Sequence, residues 1–235
     1  MTERVAMLFD LDGTLIHSSG DLTDAINRML EQLGLPSARR SEVESWIGHG
    51  VEPLIHRSIT KEHDGRVEDD LLQRGLALFR PAYLATDFAR TVLAEGMVAV
   101  VEALRSAGYP CALVTNKPTA PTLRILDKFE LGGLFQTVIC GDTLSRMKPD
   151  PDQLIRALEL CGTNRGWMVG DSDADSAASL AAGLPFIAVR GGYGRDADPA
   201  DFPSSPILTL DSLLDLLDEN NCPIELLRSP PAPIP

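Results

Sequence analysis

Met7-Leu8-Phe9-Asp10-Leu11-Asp12-Gly13-Thr14-Leu15 is the stretch on which the reading of this chain turns. The apolar run from Val5 to Phe9 has the length and composition of a buried strand. It ends on two aspartates two residues apart, followed by a glycine. Side chains alternate along a strand, so Asp10 and Asp12 share a face if the strand continues. Gly13 lets the backbone turn sharply and bring both carboxylates to one mouth. Carboxylates that close repel, and water or a metal normally compensates. Taken alone, Asp-x-Asp-Gly at a strand end is also an ordinary polar turn, so the rest of the chain has to decide.

The chain has 235 residues, enough for one large domain or two small ones around a real core. Its apolar share of 44% and charged share of 23% are those of a globular protein. With 21 basic and 34 acidic residues the formal net charge is −13. No broad basic surface is available, which argues against a nucleic-acid or anionic-membrane partner. An anionic substrate would need local help from a metal or a few placed cations. Cys111, Cys140, Cys161 and Cys222 are far apart and lack Cys-x-x-Cys spacing. They read as small buried residues in a reducing cytoplasm. No signal peptide or membrane span is evident, since the first apolar run is cut short by Asp10.

Working outward, residues 18–91 read as a small all-helical insert. Leu22, Ile26, Met29, Leu30 and Leu33 recur at helical spacing. Ser41 with Glu44 fits a capping box, and Leu71, Leu72, Leu76 and Phe79 make a second apolar stripe. After Met97 strands and helices alternate. Strands are expected at Cys111 to Thr115, Val138 to Cys140, Trp167 to Val169, Phe186 to Val189 and Ile207 to Leu210, with a closing helix over 211–217. This alternation predicts an α/β fold, a doubly wound parallel sheet with a Rossmann-like core and helices on both faces. The core would comprise 1–17 and 92–228, and the Pro-rich segment 229–235 a loose tail. Linkers are expected near 17–20 and 89–96, with Gly20 as a hinge.

In such sheets ligands bind at the carboxyl ends of strands, and here those ends carry polar residues. The first gives Asp10 and Asp12, the second Thr115, Asn116 and Lys117. Lys148 and Pro149 follow the third, and Gly170-Asp171-Ser172-Asp173-Ala174-Asp175 the fourth. Each has a plainer reading: Thr115 and Asn116 as helix caps, Lys148 as a solvated lysine, Asp171, Asp173 and Asp175 as helix-start charges. Together they form a carboxylate cluster facing hydroxyl, amide and ammonium donors. Phosphoryl transfer assisted by Mg²⁺ calls for such a set.

Asp-Leu-Asp-Gly-Thr at 10–14, Thr115, Lys148-Pro149 and Gly-Asp-Ser-x-x-Asp at 170–175 stand in the order of the haloacid dehalogenase superfamily, which the chain resembles over nearly its whole length. The helical insert looks like that family's first type of cap domain. Within the superfamily, Trp46 to Gly50 with Leu54 and Arg57, Val114 to Thr119, and Gly192 to Gly194 are similar to the phosphoglycolate phosphatase group. The resemblance implies a phosphomonoester hydrolase acting on a small phosphorylated metabolite such as 2-phosphoglycolate. Asp10 would be the nucleophile, forming an aspartyl-phosphate. Asp12 would be the acid and then the base. Asp10, the Asp12 carbonyl and Asp171 would hold Mg²⁺. Thr115, with the amide of Asn116, would bind phosphoryl oxygens. Lys148 together with Mg²⁺ would offset the repulsion between carboxylate and phosphate, and Asp175 would orient Lys148 or a metal-bound water. A carboxylate about 4 Å from a phosphate is repelled by roughly 4 kcal/mol per unit charge pair at moderate dielectric, which a cation must offset.

The insert residues are less specific. Gly48 and His49, in a loop with two glycines, either reach the substrate or sit exposed. Trp46 fits an anchor. Arg57 either pairs with a substrate carboxylate or lies on a helix surface. Lys61, the insert's single lysine, has polar neighbours, which disfavours a phosphonate hydrolase needing a Schiff base. Other phosphatases, a phosphosugar mutase or a non-catalytic binder on the same fold are the competing readings. His17 stands where the family often has aspartate. Monomer and homodimer are both compatible with the sequence.

Overall fold

The computed structural model describes residues 5–194, 208–210 and 214. Six parallel strands form the central sheet in the order β5-β4-β1-β6-β7-β8. They are β1 (Ala6–Phe9), β4 (Cys111–Val114), β5 (Thr137–Ile139), β6 (Gly166–Gly170), β7 (Phe186–Val189) and β8 (Leu208–Leu210). Strand β1 is central: Met7 faces Cys111 on one side and Trp167 on the other. All four of its residues are buried, as a strand covered on both faces requires.

Alternation sorts those residues between two cores. Met7, Phe9, Leu113, Trp167, Val169 and Ile187 point to one face. Ala6, Leu8, Ala112, Val114, Met168 and Phe186 point to the other. Helices α5 (Met97–Ser106) and α6 (Thr119–Lys128) cover the first face. Helices α7 (Asp152–Cys161) and α8 (Asp173–Ala181) cover the second. The sheet is thus doubly wound, as expected. Cys111, Cys140 and Cys161 are free and buried. Among the described residues no helix is long and apolar enough to cross a membrane.

Between β1 and β4 lie α1 (Ser19–Gln32), α2 (Arg40–Glu44), α3 (Val51–Thr60) and α4 (Asp69–Leu84). Their apolar stripes, including Ile26, Met29, Ile55 and Phe79, join the same buried cluster as the first sheet face.

Several local expectations are corrected. The chain enters and leaves the insert through an antiparallel ribbon of β2 (Ile16–His17) and β3 (Val92–Leu93), paired strands at the edge of the two expected linkers. Gly20 lies inside α1, and a Cβ there would come within 2.9 Å of the Arg90 Cβ. Its missing side chain lets α1 approach Arg90 closely. Asp21 is buried and accepts from the backbone N–H of Arg90 at 3.1 Å and the Thr91 hydroxyl at 2.7 Å, tying α1 to the return strand. The capping contact of α2 runs from the Arg39 N–H to Glu42 at 2.7 Å, not through Ser41 and Glu44; Glu44 instead accepts from Ser19 and Arg40. The tail from Ser229, Cys222 and the helix over 211–217, apart from Leu214, lie outside the described residues.

Candidate active site

Asp10 closes β1 and is buried. Lys148, from the loop after β5, lies wholly inside. Its Nζ donates to Asp10 Oδ1 at 2.8 Å, the Val114 carbonyl at 2.8 Å and Asp175 Oδ1 at 2.5 Å. Asp175 sits in the first turn of α8, which begins at Asp173. Ser172 caps that helix and donates to Asp175 Oδ2 from its N–H at 3.1 Å and its hydroxyl at 2.6 Å. Asp175 is thereby fixed, and it fixes the ammonium.

Asp171 ends β6. It accepts from the Thr14 hydroxyl at 2.9 Å and from the N–H groups of Tyr193 at 2.6 Å and Gly194 at 3.2 Å. Glycines make this approach possible. A Cβ at Gly13, where φ is +90°, would fall 2.1 Å from Asp171 Oδ2, and one at Gly192 would fall 2.3 Å from the same atom. Asp10, Asp171 and Asp175 place carboxylate oxygens within 4.8 Å of one another.

The Lys148 ammonium serves two of these three buried carboxylates, Asp10 and Asp175, and the imbalance shows in their acidity. Burial, the largest cause, pushes the Asp10 carboxyl up to about 8; Lys148 opposes this, while Asp175 and Asp171 add repulsion. Burial and then Asp175 push Asp171 up to about 7, against the bonds from Tyr193, Thr14 and Gly194. Burial alone would lower the Lys148 ammonium, but Asp10 and Asp175 outweigh it and raise its pKa. A hard divalent cation fits this all-oxygen, electron-rich donor set.

Asp12 faces the same mouth. Lys117 Nζ donates to both its oxygens, at 2.9 and 2.7 Å, and the Ser18 hydroxyl also donates to it. Lys117 is buried, and its ammonium lies 5.0 Å from the centre of the Tyr83 ring. Its position in the sequence places Lys117 at a strand end and assigns it no role. The available signal was a lysine two residues after Thr115 in an acidic chain. Thr115 and Asn116 are buried beside it. The Asn116 amide nitrogen spans two carbonyls, Gly48 at 3.0 Å and Lys148 at 2.8 Å, and so links the insert loop to the lysine loop.

A cavity of about 400 Å³ opens above these groups, with Asp10, Asp12, Thr115, Asn116 and Lys117 on its floor and the insert helices as its walls. Gly48 lines it. His49 and Arg57 do not. The His49 ring reaches Asp173 at 3.3 Å, bridging the insert loop to the start of α8. Arg57 is neither a cavity cation nor a surface residue. It is buried, donating to the Trp46 carbonyl at 3.1 Å and the His63 carbonyl at 2.7 Å. The Lys61 ammonium, despite its polar neighbours in sequence, is enclosed without a hydrogen-bond partner among the described residues, 5.5 Å from the centre of the Trp46 ring and outside the cavity lining. His17 packs edge-on to Tyr193.

Residues 7–189 match the family model of the haloacid dehalogenase-like hydrolases. A phosphoglycolate phosphatase of Pseudomonas putida KT2440 is 39% identical over 216 residues, covering 90% of this chain and 78% of that protein. One of Nitrosospira multiformis is 40% identical over 200 residues, covering 83% and 88%. A crystal structure described as a predicted phosphoglycolate phosphatase from Haemophilus somnus superposes with a TM-score of 0.81 at 30% identity, over 92% of this chain and 97% of that one. CbbY from Rhodobacter sphaeroides shares the fold, with a TM-score of 0.73 at 24% identity over 92% and 96%. The chain belongs to the haloacid dehalogenase-like hydrolases and, among them, is a phosphatase.

Proposed function

We propose that this chain hydrolyses phosphomonoesters through an aspartyl-phosphate at Asp10, with 2-phosphoglycolate as the first substrate to test. The observation that carries the mechanism is the pair of clamped aspartates at one cavity floor. Lys148 holds Asp10 Oδ1, and no described residue donates to Asp10 Oδ2, leaving that oxygen to attack phosphorus. As the Asp10 oxygen–phosphorus bond forms, the ester bond breaks, and Asp12 delivers a proton to the departing alkoxide. Asp12 then takes a proton from the water that attacks the aspartyl-phosphate, releasing phosphate and restoring Asp10. We assign the Thr115 hydroxyl and the Asn116 N–H, at the end of β4, to the phosphoryl oxygens. Lys117 orients the Asp12 carboxylate.

Asp10, Asp171 and the Asp12 carbonyl are the groups we assign to Mg²⁺, and the surplus of buried carboxylate supports that assignment. When bound, the cation offsets the repulsion between these carboxylates and the incoming phosphate. We assign residues 18–91 to a cap that opens for substrate and closes to exclude water, with Gly48 at its contact edge. The substrate assignment is supported by the names of the relatives, and by the cavity only in that it encloses the floor.

The experiment is phosphate release from 2-phosphoglycolate in Mg²⁺, beside sugar phosphates and nucleotides, with Asp10→Asn as blank and EDTA as a second arm. Release above the blank that EDTA abolishes is the expected result. Preference for another phosphate would move the substrate and keep the chemistry. Wild type equal to the blank throughout would end the reading.

A further inference from the structure

The cavity is large and apolar for a site whose reacting group is a dianion. We infer that it takes phosphomonoesters whose alcohol half carries an apolar body and, at its far end, an anionic group received by Arg80. The inference rests on the phosphatase reading above and specifies its substrate class.

The volume of about 400 Å³ falls among sites of about 300–1,000 Å³ that enclose whole organic ligands. Phosphoglycolate offers such a space one methylene. Above the polar floor the walls are Leu22, Ile47, Val51, Leu54, Phe79 and Tyr83, from α1, α3, α4 and the loop before α3. Pro118, Ala120 and Pro121 face them from the start of α6. A small dianion leaves these surfaces wet, whereas an apolar leaving group removes them from water.

Charge selects the far end. Two cations line the cavity, Lys117 and Arg80. Lys117 is engaged by Asp12. Arg80 is exposed on α4 and makes no hydrogen bond or ion pair with any described residue, so its guanidinium is available for a two-pronged carboxylate contact. Asp142, also in the lining, is held by the N–H of Thr119 at 2.9 Å. Arg57, the arginine that the sequence points to for this task, is spent on carbonyls. In a chain of net charge −13, an unpaired cation at the rim of the substrate cavity is the group an anionic tail would find.

The test compares benzyl phosphate, 4-carboxybenzyl phosphate and 2-phosphoglycolate, all esters of primary alcohols, with the Mg²⁺-loaded enzyme. Wild type is expected to favour 4-carboxybenzyl over benzyl phosphate by about tenfold in kcat/KM. Arg80→Gln should erase that ratio through KM. Ala120→Leu, at an exposed lining position on α6 and therefore compatible with folding, should lower kcat/KM for both benzyl esters relative to phosphoglycolate by about fivefold. Equal use of the two benzyl esters, or a ratio that survives Arg80→Gln, overturns the inference. Hydrolysis of phosphoglycolate with neither benzyl ester accepted overturns it and leaves the phosphatase reading standing. Hydrolysis of none of the three overturns both.

Discussion

Two buried cations, Lys117 at the site and Arg57 outside it, do different work, and substitution separates them. Lys117 touches both oxygens of Asp12, so its loss frees the carboxylate to rotate. Lys117→Met is expected to lower kcat by about 10²-fold, within the range of acid–base contributions, with a smaller change in KM. Steady-state kinetics on one substrate would show it, and an effect on KM alone would remove Lys117 from the chemistry. Arg57 lies outside the cavity, holding the ends of the Trp46–His63 segment together. Arg57→Met should cost about 1.5–3 kcal/mol per lost charged hydrogen bond, read as a lower urea midpoint. A raised KM at unchanged stability would instead restore the arginine to the substrate. Both roles were out of reach of the sequence for one reason. Residue type and spacing tell which strand end carries a lysine or arginine, but not which carbonyl or carboxylate it meets across the fold.

Among the elements, the loop from Trp46 to Gly50 decides whether insert and sheet meet in register. Gly50 has φ +86°, and a Cβ there would stand 2.9 Å from the Met147 Cε, next to Lys148. Gly50→Ala should therefore lift the loop, lower kcat several-fold and destabilise the fold by about 1–2 kcal/mol. Paired kinetics and thermal melting would measure both, and unchanged kcat would mean the loop has no part in turnover. The strands were readable because continuous apolar runs bounded by polar ends have few other solutions, as with Val5 to Phe9 and Trp167 to Val169. The start of α8 was not. Its first turn is Asp173-Ala174-Asp175, and the acidic side chains that blur its helical pattern are the ones placed to clamp Lys148 and to meet His49. The β2–β3 ribbon was also hidden, since two-residue strands carry no periodicity.

For the molecule as a whole, the site is a source of instability that a bound cation would relieve. Asp10 and Asp171 lie at about 8 and about 7 in the fold against 3.8 for the free side chain. Between about pH 4 and pH 8 the folded chain keeps protons the unfolded chain has lost, so metal-free stability falls as pH rises through that window. Above it the cost is fully present. A cation that binds the ionised pair recovers it. Millimolar Mg²⁺ should raise Tm by several degrees at about pH 8 and by much less at about pH 5, as calorimetry can test. An increment equal at both values would place the cation elsewhere. The doubly wound sheet and the four strand-end motifs were legible from the sequence, while the balance of charge between them needed the packing of Asp171 against Gly13, Gly192 and Gly194.

The ribbon of β2 and β3 has a consequence for how such a molecule changes over generations. Ile16 pairs with Leu93 and His17 with Val92, so the chain departs from the sheet and returns to it at a single doorway. Whatever lies between is a closed loop whose ends already touch, and lengthening such a loop costs only about 0.6 kcal/mol per doubling. The strand-end aspartates sit on one side of the doorway and most of the cavity walls on the other. A graft that exchanged everything past His17 and before Val92 for another helical piece would inherit the aspartates untouched and acquire a new appetite.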